Sequence, residues 1–313
     1  MRAVDGVVEA PDRAYHRLLL VFADGVGLGA EGPDNPFVTA PTPALRALLG
    51  GPLTAERAQR GSELVLVPLD AVLGVPGLPQ SGTGQTTLFT GVNAQERLGH
   101  HVPALPGPRL RALLAEHSVL RLLAARGQPV TFANAYTAGY VAGLASGEVR
   151  SSATTCAVAA AGVPLRLLDD LAAGRAVSWD ITGEELTRRA GGDVTRRTAE
   201  EAGAVLATLA GEHRFTLFET FLTDLAGHAR WEITPASAVE RLDGLLAGIL
   251  AARSPAVTVL LTSDHGNVEE AEHRRHTTNP VPLLAVGPAA GAFADLTRLD
   301  EVAPRIRTVL GGD

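Results

Sequence analysis

The sequence predicts an α/β fold: a mostly parallel open sheet with helices on both faces and a small inserted cap. Short, almost wholly apolar runs recur along the 313 residues, as strands buried on both faces require. Between them stand stretches with helical spacing and helix-start signals, and strand–helix alternation is the signature of a sheet sandwiched by helices. A hydrophobic content of 46% is enough for a sizeable core, and with only 4% aromatic residues that core must be mostly Leu, Val and Ala.

The elements follow in chain order. "LLLVFA" (18–23) and "LVLVPL" (64–69) read as strands. "GLPQSGTGQTTLFTGVNA" is a Gly/Ser/Thr-rich loop running into a helix-like stretch, and "SVLRLLAARG" reads as a helix closed by Gly127 as its C′ residue. "PVTFANA" (129–135) is the next strand. From 139 to 197 the text turns rich in Ala, Gly and Arg. Its apolar positions and Trp179 mark it as an inserted subdomain rather than a linker, which gives a discontinuous core (1–138 and 198–313) and a cap (139–197). "TAEEAGAVLATLAG" opens with Thr198 and Glu201 in capping-box spacing. "FTLFETFL" (215–222) is a strand. "TPASAVERLDGLLAGILAA" sets Val239, Leu242, Leu246, Ile249 and Leu250 on one helical stripe. "VTVLLT" (257–262) and "VPLLAVG" (281–287) are the last strands.

Composition narrows the function. The formal charge is −7, which points away from nucleic acid as a partner. The sequence contains no Lys, so all 27 basic residues are Arg and any grip on phosphate must be guanidinium, backbone or metal. The one cysteine, Cys156, can form neither an internal disulfide nor a thiolate metal cluster, and reads as a small core residue. "MRAVDGVVEAPDRAYHR" lacks an apolar leader core and no run reaches the ~18 residues of a membrane span, so the expectation is a cytoplasmic protein without a membrane partner. Oligomeric state has no signature in the sequence.

In open α/β sheets function gathers beyond the carboxyl ends of the strands. Three apolar runs end there in acids: Asp24 in "LLLVFADGVG", Asp224 with His228 in "FETFLTDLAGH", and Asp264 with His265 in "VLLTSDHGN". His276 precedes the last strand, with His273 three residues before it; spacing alone does not choose between the two. Carboxylates mixed with imidazoles suit a borderline divalent ion, Mn²⁺ or Zn²⁺. Gly25, Gly227 and Gly266 stand beside these residues, where tight turns let neighbouring side chains converge. His16, His100, His101, His117 and His213 read as surface or supporting residues, with His100 and His101 open to a substrate role. Ser81 and Thr83 lie among glycines at a helix start, where backbone N–H groups favour an anion and a hydroxyl can serve as nucleophile. The absence of Lys from "SGTGQTT" excludes a Walker A loop.

Taken together, "FADGVG", "PQSGTGQT", "DLAGH" and "SDHGN…HTTNPVP" resemble the metalloenzyme core of the alkaline phosphatase superfamily, and most nearly its branch of cofactor-independent phosphoglycerate mutases and phosphopentomutases. "NPFVTAPTPALRALL" is similar to that branch's early segment, and the resemblance spans roughly residues 18–97 and 198–287. It implies two divalent ions, one held by Asp224, His228 and His276, the other by Asp24, Asp264, His265 and the oxygen of the nucleophile. The branch's nucleophile stands three residues ahead of a Gly and then a His; Ser81 with Gly84 fits that spacing, although Gln85 occupies the usual His position. The implied chemistry is phosphoryl transfer on a small phosphorylated metabolite through a phosphoserine, phosphomutase-like, or alternatively hydrolysis as a phosphomonoesterase or phosphodiesterase. A cap of about 60 residues is far shorter than a phosphoglycerate mutase cap, and without Lys any catalytic lysine of the family has no counterpart. Arg97, His100 and His101 remain as candidate contacts for the substrate's anionic end.

Overall fold

The computed structural model describes residues 16–191, 194–270 and 272–311. The N-terminal stretch read above as lacking a leader core lies, up to residue 15, outside the described residues, as do 192–193 of the inserted segment.

Among the described residues nine strands form in chain order: β1 (Arg17–Ala23), β2 (Gln59–Arg60), β3 (Leu64–Leu69), β4 (Val130–Phe132), β5 (Ala135–Tyr136), β6 (Arg166–Leu167), β7 (Phe215–Thr220), β8 (Val257–Thr262) and β9 (Val281–Val286). Seven of them make one sheet in the order β2-β3-β9-β8-β1-β7-β4, and β5 pairs with β6 separately. Strands β8, β1, β7 and β4 are parallel, whereas β9 runs antiparallel between β8 and β3. The reversal matters for the site. Because β9 enters the sheet where β8 leaves it, residues preceding β9 share the rim at which β1, β7 and β8 end. Thr262 pairs with Leu283, and a bridge between Gly266 and Thr277 extends the hairpin past that rim.

Alternation along β1 splits the core in two. Leu19, Val21 and Ala23 face one cluster, with Leu206 from the helix Ala199–Glu212 and Leu242 and Leu246 from the helix Pro235–Ala252. Leu18, Leu20 and Phe22 face the other, with Leu88 from Ser81–Thr90, Leu114 from Pro108–His117, Leu120 from Val119–Ala124 and Ile306 from Val302–Val309. The helices so cover both faces of the sheet, as the apolar runs predict.

Local signals act as their chemistry requires. Thr198 Oγ1 accepts from Glu201 N (3.1 Å) while the Glu201 carboxylate accepts from Thr198 N (2.9 Å), the reciprocal cap written in the sequence. The helix predicted to run up to Gly127 stops at Ala124, and Gly127 takes the left-handed φ of +71° two residues past its C-cap. "PVTFANA" is two strands rather than one, since its last residues leave the main sheet to pair with β6. "FTLFETFL" ends as a strand at Thr220, and Leu222 already begins the short helix Leu222–Gly227.

The segment 139–197 does not pack as one unit. Ala153, Ala157 and Val158 of the helix Ala153–Ala160 lie in the main core, and Trp179 joins the opposite cluster. A separate small cluster gathers Leu171, Ala176, Leu186 and Val194 around Ala135 of β5. No helix among the described residues is long and apolar enough to cross a membrane.

Candidate metal centre and active site

Asp24 follows β1 directly, and its N–H donates to the Thr220 carbonyl at the end of β7 (2.9 Å). Asp224 and His228 stand four residues apart on the helix turn after β7, a spacing that puts both side chains on one face. Asp264 and His265 follow β8, where the extended chain has ended and the two side chains no longer point to opposite faces. His276 arrives from the β9 side of the same rim. Ser81 is the first residue of its helix, with Gln80 as N-cap.

These side chains meet. His228 Nε2 lies 3.3 Å, and His276 Nε2 3.5 Å, from Asp224 Oδ1, and the two Nε2 atoms are 3.0 Å apart. His265 Nε2 lies 3.2 Å from Asp24 Oδ1, 3.6 Å from Asp264 Oδ2 and 3.0 Å from Ser81 Oγ. Two groups of potential ligand atoms result, Asp224–His228–His276 and Asp24–Asp224–His265, with Asp224 common to both.

The hydrogen bonds around the rings say what the centre needs. His228 Nδ1 faces the Arg274 carbonyl (2.9 Å), His276 Nδ1 the Pro79 carbonyl (2.7 Å) and His265 Nδ1 the Gly266 carbonyl (3.3 Å). A carbonyl only accepts, so each Nδ1 carries the proton and each neutral ring turns an Nε2 lone pair inward. Lone pairs 3.0 Å apart, beside carboxylate oxygens, repel unless a cation lies among them. Asp24 Oδ1 and Asp264 Oδ2 are buried without a hydrogen-bond partner, which burial makes costly. The donor set thus fits divalent cations.

Electrostatics agrees. Burial, then repulsion from Asp264 and Asp224, pushes the Asp24 carboxyl well above the usual range in the metal-free chain. Burial would raise Asp224 too, but in the metal-free chain, where a proton on Nε2 takes the place of a cation, hydrogen bonds from His228 and His276 outweigh it and hold this carboxyl far below its ordinary value. His228 is raised, first by its hydrogen bond to Asp224. His265 is lowered by burial, against the attraction of Asp264. The centre draws positive charge at one ring and excludes a proton from another.

Several supporting residues escaped the sequence reading. Gln85 donates from Nε2 to Asp24 Oδ2 (3.0 Å), filling with an amide the position where the resemblance leads one to look for His. Asn267, the last letter of "DHGN", donates to Asp224 Oδ1 (2.8 Å). Glu269 accepts from Gly27 N (2.9 Å), Asn267 N (2.7 Å) and Asn279 Nδ2 (3.1 Å), and so ties the loop after β1 to both ends of the β8–β9 connection. Glu219, buried on β7, takes hydrogen bonds from Thr154 Oγ1 and Tyr136 OH. Its signal, an acid inside an apolar strand, was visible in "FTLFETFL".

Other expectations are revised. Of the three glycines read as turn residues, only Gly25 occupies the left-handed region (φ +73°); Gly227 and Gly266 are close approaches, with Asn267 and Glu269 where a Cβ would stand. Gly84 is likewise a contact, since a Cβ there would come within 2.8 Å of the Asp264 carbonyl oxygen. Thr83 is turned away: its hydroxyl bonds Gln80 O (3.2 Å) and Val102 N (3.2 Å). His273 is exposed and stays apart from the ligand groups. Arg97, His100 and His101 do not reach the cavity beside the centre: Arg97 is exposed, His100 folds onto Leu98 O (3.1 Å) and His101 onto Val75 O (3.0 Å).

That cavity, about 650 Å³, has Asp24, Ser81, Gln85, Asp224, His228 and His276 on its lining and continues under Tyr136, Tyr140, Trp179 and Phe221.

Comparison with known proteins places this geometry. Residues 185–311 match the family model of the Metalloenzyme superfamily. The 2,3-bisphosphoglycerate-independent phosphoglycerate mutase of Cereibacter sphaeroides (strain ATCC 17025 / ATH 2.4.3) is 35% identical over 96 residues, 28% of this chain and 19% of that protein. The mutase of the same name from Rhodopseudomonas palustris is 36% identical over 119 residues, 35% of this chain and 23% of its own length. The match therefore spans about a fifth of these relatives. Among solved structures, the alkaline phosphatase of the Antarctic bacterium TAB5 superposes with a TM-score of 0.53 at 15% identity, covering 95% of this chain and 98% of that one. Thermus thermophilus alkaline phosphatase gives 0.54 at 13%, covering 100% and 96%. The fold is alkaline phosphatase-like, and the superfamily resemblance drawn from the sequence motifs is borne out.

Proposed function

We propose that the chain is a binuclear-metal phosphoryl-transfer enzyme of the alkaline phosphatase superfamily, acting through a phosphoserine at Ser81. The observation that carries this reading is the inward convergence of Nε2 lone pairs and carboxylate oxygens around the Ser81 hydroxyl. Asp224, His228 and His276 would hold one divalent ion, and Asp24, Asp264, His265 and Ser81 Oγ the other; Mn²⁺ and Zn²⁺ both suit such ligands. When bound, the pair neutralises charge on the phosphoryl oxygens and favours the ionised serine.

The protein's own groups supply the rest. Ser81 sits at the N-terminus of a ten-residue helix, whose dipole favours an incoming phosphoryl anion. Gln85 holds Asp24 Oδ2 and leaves Oδ1 toward His265, while Asn267 fixes the Asp224 Oδ1 that faces His228 and His276. Ser81 Oγ bonds to phosphorus as the ester P–O bond breaks, and the departing alkoxide takes a proton from water. In the second half an acceptor oxygen bonds to phosphorus and the serine oxygen leaves.

We take water as the acceptor and the chain as a phosphatase rather than a mutase. Ser81 is only part-buried, and the side chains of His228 and Asp224 keep 19% and 15% exposure, so solvent reaches the place where a mutase must exclude it. Incubating the Mn²⁺- or Zn²⁺-loaded protein with a panel of sugar phosphates and phosphoglycerates separates the two: inorganic phosphate release supports hydrolysis, isomer formation without release the mutase. Ser81→Ala should lower turnover at least about a thousandfold while elemental analysis still finds both metals. A phosphorylated Thr83 peptide, or turnover surviving in the variant, would overturn the assignment.

A further inference from the structure

We infer that the substrate bears a planar aromatic group next to its phosphoryl group, seated against Tyr136, Tyr140, Trp179 and Phe221. The inference rests on the phosphoryl-transfer reading and deepens it by naming a substrate class, aryl or heteroaryl phosphate esters.

Aromatic residues are scarce in this chain: eight Phe, three Tyr and two Trp among 313 residues. Five of them nonetheless line one cavity, Phe22, Tyr136, Tyr140, Trp179 and Phe221. Four are already paired face to face. Tyr136 and Tyr140 stack at 4.8 Å and 11°, and Trp179 and Phe221 at 4.3 Å and 6°. Each pair fixes the ring planes before a ligand arrives, so little rotamer entropy remains to be lost on binding. Leu186 and Leu225 add apolar surface to the same lining.

The polar inventory points the same way. The arginines on the lining, Arg230, Arg274 and Arg275, are all exposed, so no buried guanidinium awaits a second carboxylate or phosphate at the aromatic end. Of the polar groups there, Glu219 is already engaged by Tyr136 OH and Thr154 Oγ1, which leaves Thr137 and Ser152 as the small hydroxyls beside the rings, few partners for a polyhydroxy acid phosphate. A volume of about 650 Å³ lies within the range of pockets that enclose drug-sized ligands, with room for a ring system beside the phosphoryl group.

Phosphonates test this without the bias of a good leaving group, because their P–C bond is not cleaved. Calorimetric titration of the metal-loaded protein should find phenylphosphonate bound about tenfold tighter than methylphosphonate, a ratio that stacking on a preformed aromatic wall can supply. Tyr140→Leu, at a half-buried position, should shrink the ratio to about twofold. Equal affinity for the two phosphonates in the unaltered protein overturns the inference, as does a ratio unchanged by both Tyr140→Leu and Trp179→Leu. Phosphate release from any ester, lost in Ser81→Ala, reports separately on the underlying reading, so either can fail while the other stands.

Discussion

His228 and His276 each commit one ring nitrogen to a backbone carbonyl, and the other two nitrogens face each other across 3.0 Å. Protons and metal ions therefore compete for one place. The affinity for Zn²⁺ should fall as pH drops and His228, raised above its ordinary value by its hydrogen bond to Asp224, takes up a proton; titration with a chromophoric competitor would show it, and a flat profile would argue against histidine ligation. Glu219 titrates in the opposite sense. Burial raises its carboxyl to about 7, against the hydrogen bonds from Thr154 and Tyr136 that lower it. A carboxyl raised on folding stabilises fully below its unfolded value near 4.5 and loses that contribution as pH climbs through about 7. In the metal-free protein Glu219→Gln, which keeps the shape and discards the charge, should flatten the decline in stability between pH 5 and 8, by up to roughly 3 kcal/mol. Urea melts at the two pH values measure it, and an unchanged decline would clear Glu219. Single residues were also where the sequence was most legible: the acids and histidines read as candidate ligands come together at one place, because strand ends in an α/β sheet are few and share a rim. Gln85 and Asn267 were not legible, since an amide signals no chemistry until its partner is known.

Elements carry a different constraint, seen where the helices Ala199–Glu212 and Pro235–Ala252 cross. A Cβ on Gly248 would stand 2.0 Å from the Glu200 carbonyl oxygen, and one on Gly203 2.2 Å from that of Leu245. Backbone touches backbone, and neither can move without the strands beneath. Gly248→Ala should cost about 3 kcal/mol, the upper part of the range for overpacked cores, read as a lowered denaturation midpoint with an unchanged slope; a loss under about 0.5 kcal/mol would mean the helices slide freely. Most strands were written plainly, Leu64–Leu69 and Val257–Thr262 to the residue. What the text could not convey was direction. An apolar run reads alike in parallel and antiparallel pairing, so the reversal of β9 that returns His276 to the rim appears only once the register of Thr262 against Leu283 is known. The predicted cap blurred for a related reason: small apolar residues such as Ala153 and Ala157 fit the main core as readily as a separate one.

Across the whole molecule, the candidate centre joins what the sequence keeps apart. Its proposed ligands follow three strands, precede a fourth and open a helix, from Asp24 to His276, so an ion bound there would clamp the C-terminal rim of the sheet. Unliganded, the rim holds buried carboxylate oxygens without partners and lone pairs in opposition, both of which oppose folding. Metal binding is then a stability term of the fold rather than a local event. Free metal at a hundred times the dissociation constant contributes about 2.7 kcal/mol per site, and for a chain of this size two sites amount to a rise in Tm on the order of 10 °C. Thermal melts before and after chelation give the shift directly. Asp224→Asn, altering a carboxylate that holds one proposed ion and borders the other, should abolish about half of it or more, whereas Ser81→Ala should retain it. A Tm indifferent to chelator, or an equal rise in Asp224→Asn, would mean that the ions sit elsewhere and that these side chains converge for structural reasons alone.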